Sequence, residues 1–281
     1  MNAWSWCVSR LPFDWASYGF MQNALLAVVL ITPVLALLGC MIINNQMAFY
    51  SDAIGHSALT GVAIGALAGL ADPTWPMVML GVALALGIMA VRRFSTASMD
   101  TVIGVMMAVM VALGIVILSR GGGFAKASRF LIGDILTISP GDLWRLAVLT
   151  GVVLVFWVFG FNRLFLAAVN RSLAGSRHVP VWMVDAVFSA LVAVAVMLSI
   201  QWVGLLVINA LLIVPAAASR NLANTTPQYY GLAVLIGLAC GVLGLVASFY
   251  VGSATGATIV LVAGLFFALS LGIRVATRRT G

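Results

Sequence analysis

The chain has 281 residues, of which 63% are hydrophobic and only 7% charged, with a mean hydropathy of +1.17. No soluble domain has this profile, whereas a polytopic helical membrane protein does. Fourteen basic residues against seven acidic ones, every one an Asp, give a net charge of +7; membrane topology explains that excess, so nucleic acid is excluded as a partner. The apolar runs show no sustained two-residue alternation, which argues against a lipid-facing β-barrel. The 28 glycines suit closely packed transmembrane helices.

In chain order, residues 1–18 carry Arg10 and Asp14 among aromatic residues, and the run that follows is long enough to span and stay, so no cleavable signal peptide is expected. Apolar segments then fall at about 19–43, 53–71, 75–91, 101–119, 144–161, 184–201, 203–219, 231–250 and 253–275. Each is near the roughly twenty residues a bilayer requires. The expected fold is an all-α, polytopic integral membrane bundle of eight or nine transmembrane helices. The short 75–91 run and the closely spaced last four segments leave room for eight spans plus a re-entrant piece. The entire chain, 1–281, reads as one transmembrane domain.

With nine spans and a cytoplasmic C-terminus, nine basic residues (Arg92, Arg93, Arg163, Arg171, Arg177, Arg220, Arg274, Arg278, Arg279) face the cytoplasm. Five (Arg10, Arg120, Lys126, Arg129, Arg145) face outward, the bias the positive-inside rule expects. Among the polar connections, 120–143 is the longest outer segment, and its Phe130–Leu136 portion reads as a short helix or re-entrant turn. Residues 162–183 read as an amphipathic cytoplasmic helix lying against the membrane or a partner.

The candidate chemistry centres on Asp52 and His56, in Ser51-Asp-Ala-Ile-Gly-His-Ser-Ala58. On a helix, a spacing of four puts both side chains on one face, about 6 Å apart along the axis. A carboxylate in a membrane segment is costly, so it lines a pathway or pairs with something. Carboxylate oxygen and imidazole nitrogen together suit a divalent transition metal. The competing reading makes Asp52 a helix N-cap and His56 an interhelical hydrogen-bonding group. Ser57, Gly61 and Gly65 keep nearby bulk low, and a two-fold dimer would bring four ligands together.

Asp134 reads either as a turn residue beside Gly133 or as a stop along the outer route. Asn209 is a polar residue within a span, and Pro215 reads as a kink. Gly121-Gly-Gly-Phe-Ala-Lys126 is no phosphate loop, because Lys126 lies between two alanines rather than before Ser or Thr. Any ATP is therefore handled by another subunit, and the chain is not itself an enzyme. Cys7, Cys40 and Cys240 form no metal-ligand spacing.

Four segments carry a family resemblance in order and register: Ser51-Asp-Ala-Ile-Gly-His-Ser-Ala-Leu-Thr-Gly61, Asp100-Thr-Val-Ile-Gly-Val-Met-Met107, Leu131-Ile-Gly-Asp-Ile-Leu-Thr-Ile-Ser139, and Val203 through Pro215-Ala-Ala-Ala-Ser-Arg220. From about residue 20 to its end, the chain resembles the membrane permeases of bacterial ABC importers for zinc, manganese and iron, the ABC-3 family. The resemblance implies a homodimer in the bacterial cytoplasmic membrane, in contact with lipid, served by a cytoplasmic ABC ATPase and an extracytoplasmic metal-binding protein. It places Asp52 and His56 on the metal route; Ser57, Asp134 and Asn209 stand beside them as possible pathway residues read from their own positions. It also makes Arg171, Leu173, Ala174, His178 and Val179 the surface that rests on the ATPase.

Two departures stand out. Asn44-Asn-Gln46 replaces a common basic pair, and His178 stands where relatives often have Gly, four positions after Ala174. No cofactor is expected to be permanently bound; the divalent metal is the transported substrate. Coordination requires a neutral imidazole, so transport is expected to weaken on acidification. The alternatives are a permease for a metal chelate of the siderophore or cobalamin type, and a stand-alone ion-coupled metal transporter. An intramembrane enzyme is disfavoured, there being no Glu and no His-Glu-x-x-His.

Overall fold

The computed structural model describes residues 4, 10, 12–70, 72–121, 134–178 and 180–279, without the side chains at 120–121 and 278–279. These residues hold helices α1 (Gly19–Asn44), α2 (Tyr50–Leu67), α3 (Thr74–Phe94), α4 (Met99–Gly121), α5 (Pro140–Val169), α6 (Arg171–Ser176), α7 (Val181–Val203), α8 (Leu205–Leu222), α9 (Thr226–Val251) and α10 (Thr255–Arg279). Short 3-10 turns lie at Asp14–Ser17 and Ile135–Thr137, and the described residues contain no strand. The all-helical expectation holds.

Eight of these helices, all except α2 and α6, are long and apolar enough to cross a bilayer. The short 75–91 run extends to Thr74–Phe94 and qualifies. The segment that drops out is 53–71, which forms α2. Its 18 residues would reach about 27 Å at 1.5 Å per residue, close to the ~30 Å hydrocarbon core. What it lacks is apolarity, because Ser51, Asp52, His56, Ser57 and Thr60 share its first eleven positions. A helix enclosed by protein does not meet lipid, so it has no need of a lipid-compatible surface.

The chain divides into two compact units, 1–40 with 134–152 and 202–281, and 41–133 with 153–201. In the first, α8, α9 and α10 pack on one another. Polar ties inside that unit close over buried groups. The Tyr229 hydroxyl donates to the Cys40 carbonyl at 3.4 Å, and the Arg274 guanidinium donates to Asn221 Oδ1 at 2.9 Å. Asn221 passes the chain on through Nδ2 to the Ser270 hydroxyl at 3.0 Å. Such ties matter where no water is at hand to satisfy polar atoms. The one-residue break between α7 and α8 is Gly204 at φ +89°, ψ 150°, a conformation that a side chain would make costly. Helix α8 continues through Pro215, so the proline interrupts an amide donor without ending the helix.

In the second unit, α2 packs against both α3 and α4. Between helices in lipid, close contact replaces the hydrophobic effect as the source of stability. Gly61 provides that contact: a Cβ there would overlap the Met77 backbone of α3. The fully buried Tyr50 donates its hydroxyl to the Ser189 carbonyl of α7 at 2.8 Å. Thr60 donates to the Met110 carbonyl of α4 at 2.6 Å. Helix α2 is thereby fixed on three sides.

Candidate metal site and coupling segment

Along α2, positions 50–63 are buried with two exceptions, Asp52 and His56. Their side chains are 37% and 42% exposed in the single chain. Helical periodicity accounts for the pattern: residues four apart share a face, and the remaining faces are taken up by α3, α4 and the tie to α7. A rigid, buried helix thus presents one carboxylate and one imidazole to a single open strip.

His56 Nε2 lies 3.5 Å from Asp52 Oδ1. That is long for a charge-assisted hydrogen bond, which closes to about 2.7–2.9 Å. It is close to the separation of two ligands on one tetrahedral ion. With metal–nitrogen and metal–oxygen bonds of about 2.0–2.2 Å, a tetrahedral angle sets the two donor atoms roughly 3.4 Å apart. That separation is compatible with one ion contacting both groups. Among the described residues, no group of three or more His, Cys, Asp or Glu is gathered anywhere, so those residues offer at most two such donors here.

The other pathway candidates are placed differently. Ser57, adjacent to His56, is fully buried and donates to the Ile54 carbonyl of its own helix at 2.7 Å. Its hydroxyl serves the helix interior and does not face the open strip. Asp134 caps the turn Ile135–Thr137, its carboxylate accepting from the Leu136 amide at 3.0 Å, and it is exposed. That is the turn-residue geometry, a favoured role for Asp. Asn209 is half-buried on α8. Asp134 and Asn209 both belong to the first unit, whereas Asp52, His56 and Ser57 belong to the second. Residues 130–133 of the expected re-entrant turn, and Lys126, lie outside the described residues.

The expected single helix over 162–183 is three pieces. Residues 162–169 continue α5, residues 171–176 form α6, and α7 begins at Val181. Asn170 causes the first break: its extended backbone stops α5, and its side chain accepts from the Leu173 amide at 3.0 Å to start α6. Within α6, Ala174 is fully buried and its neighbours are exposed, Leu173 among them. A small residue anchors the short helix while an apolar one projects. His178 follows at φ +56°, in the left-handed region. Glycine adopts that conformation without strain, so histidine is the costlier residue at this position. Val179 lies outside the described residues.

One cluster escaped the sequence reading. Asp185, in the first turns of α7, accepts from Arg171 at 2.9 Å and lies 3.9 Å from Arg92 of α3. Its side chain is only 13% exposed. The cluster ties the start of α6 to the ends of two long helices. The available signal was a lone carboxylate beside an apolar run, which in a membrane protein calls for a partner.

Residues 17–274 match the ABC 3 transport family. A manganese transport system membrane protein, MntC, of Halalkalibacterium halodurans is 33% identical over 256 residues, covering 90% of this chain and 87% of that protein. A high-affinity zinc uptake system membrane protein, ZnuB, of Haemophilus influenzae is 29% identical over 253 residues, covering 88% and 95%. Among solved structures, PsaBC from Streptococcus pneumoniae in complex with Fab superposes with a TM-score of 0.78 at 28% identity, covering 96% of this chain and 95% of that one.

Proposed function

Because the chain belongs to the ABC 3 transport family, we propose that it is the membrane-spanning permease subunit of an ATP-driven importer, carrying divalent transition-metal ions across the cytoplasmic membrane. The observation that carries this reading is the pair Asp52 and His56, held 3.5 Å apart as the open positions of an otherwise buried helical stretch. Two donors bind loosely, and a transport site needs loose binding to release its ion. Two copies of the chain about a two-fold axis would raise the set to two carboxylates and two imidazoles, a combination zinc and manganese accept. Helix α2 then crosses the membrane as a ninth span, shielded by α3 and α4, which keeps nine basic residues on the cytoplasmic side and five outside. In this arrangement the whole chain acts as one permease domain.

ATP hydrolysis belongs to a separate cytoplasmic subunit, and an extracytoplasmic metal-binding protein delivers the ion. The exposed side of α6, with Leu173 forward and Ala174 anchoring, receives the ATPase, and the bond from Arg171 to Asp185 passes its motion into α7. No cofactor stays bound. A bare ion suits the exposed acid–imidazole pair better than a chelate, whose metal ligands are already occupied.

The test is reconstitution of the permease with its ATPase and binding protein in sealed vesicles. ATP-dependent accumulation of Mn2+, Zn2+ or Fe2+ is expected, and uptake of none of the three by an assembled, ATP-hydrolysing complex would overturn the assignment.

A further inference from the structure

The last turn of α3, the start of α6 and the first turns of α7 surround an open cavity of about 550 Å³. Arg92, Arg93 and Arg171 line it together with Trp182, Met89 and Asp185. The charges do not balance. Asp185 is the single carboxylate among the lining residues, and it is shared by Arg92 and Arg171. Arg93 is held by aromatic faces, its guanidinium carbon 5.9 Å from the ring centres of both Phe94 and Trp182. Three fixed positive charges against one negative leave a site short of an anion, and guanidinium groups recognise phosphate oxygens in pairs.

Position and rim select the kind of phosphate. The cavity sits at the ends of α3 and α7, both long and apolar enough to span a bilayer. Trp182, in its wall, is 50% exposed, and Phe94, next in sequence to Arg93, is 85% exposed. An amphipathic aromatic such as Trp182 sits at headgroup level, and basic pockets between spanning helices on the cytoplasmic side take anionic headgroups. We propose that this cavity binds the headgroup phosphate of an anionic phospholipid of the inner leaflet, Arg93 supplying the uncommitted charge and the aromatic rim lying along the glycerol and upper acyl chain. Since Arg171 opens α6, a bound headgroup also stiffens the segment on which the ATPase rests. The side of the membrane and the link to the ATPase segment rest on the permease assignment; the lipid preference itself does not.

The experiment measures lipid and not transport, so its failure and that of the metal assignment are separable. The permease, purified with its ATPase from bilayers of mixed phosphatidylglycerol and phosphatidylcholine, is stripped in neutral detergent, and the retained lipids are counted by native mass spectrometry. Wild-type protein is expected to retain phosphatidylglycerol over phosphatidylcholine. Arg93→Gln should cut that preference about fivefold, the factor expected for one basic residue near the headgroups. Arg93→Lys should recover most of it. Arg163→Gln, which removes the same charge from α5 outside the cavity, should leave it intact.

Absence of a preference in the wild type overturns the proposal without recourse to any variant. So does an equal loss in Arg163→Gln, which would mean diffuse charge alone. Release of the lipid by millimolar inorganic phosphate would mark a free-anion site instead. A preference seen only after the ATPase is removed would give the pocket to that protein's acidic residues.

Discussion

Helices α2 and α6 are built on opposite plans. Positions 50–63 of α2 are buried except at Asp52 and His56, whereas α6 is exposed except at Ala174. One is clamped by the Gly61 contact and by hydrogen bonds from Tyr50 and Thr60, so its two open side chains are held at a fixed separation. The other rests on one methyl group and one ion pair, and it offers its surface outward. A binding site needs rigid support for its donors. A lever pressed by another protein needs a small anchor and a firm link behind it.

The largest effect should follow from breaking the α2 side of this contrast. Asp52→Ala and His56→Ala are each expected to reduce metal uptake in vesicles by more than the roughly 10–100-fold seen when only an outer partner of a metal ligand is lost. ATP hydrolysis and folding should persist. Ser57→Ala, at the adjacent buried position, should leave transport near wild type; a large loss there would move the pathway off the open strip.

The clamp itself can be tested next. Gly61→Leu forces a side chain into the backbone of α3 and is expected to destabilise the protein by about 1–3 kcal/mol, read as a lowered melting temperature in detergent. The α6 side should respond more gently. Asp185→Asn leaves two arginines without their carboxylate and is expected to uncouple ATP hydrolysis from uptake, at a stability cost of about 1 kcal/mol given how exposed Arg171 is. His178→Gly relieves a left-handed backbone and should stabilise by roughly 1 kcal/mol, read as a raised melting temperature in detergent.

The sequence made the fold class plain because apolar runs of spanning length have few other uses, and the Asp52/His56 pair was legible because helical spacing converts four residues into one face. Burial was not legible. The same composition that marks 53–71 as the least apolar long segment says nothing about the enclosure supplied by α3, α4 and Tyr50. The 162–183 stretch looked continuous because Asn170, an ordinary polar residue in sequence, acts as stop and start together. Asp185 was overlooked because its partners, Arg92 and Arg171, are remote in sequence, one on the end of α3 and the other opening α6. The hydrogen bond from Ser57 to the Ile54 carbonyl of its own helix was likewise not legible from its neighbours.

The central claim is that the imidazole of His56 ligates the transported ion. The direct measurement is pulsed electron paramagnetic resonance of Mn2+ bound to the permease–ATPase complex, with nitrogen-15 histidine incorporated into the permease alone. The chain has only two histidines, so His178→Gly serves as the control. A nitrogen-15 coupling to Mn2+ that survives His178→Gly and disappears in a folded His56→Ala protein is the predicted result. A coupling that persists in His56→Ala, or none in the wild type with Mn2+ bound, would contradict the account.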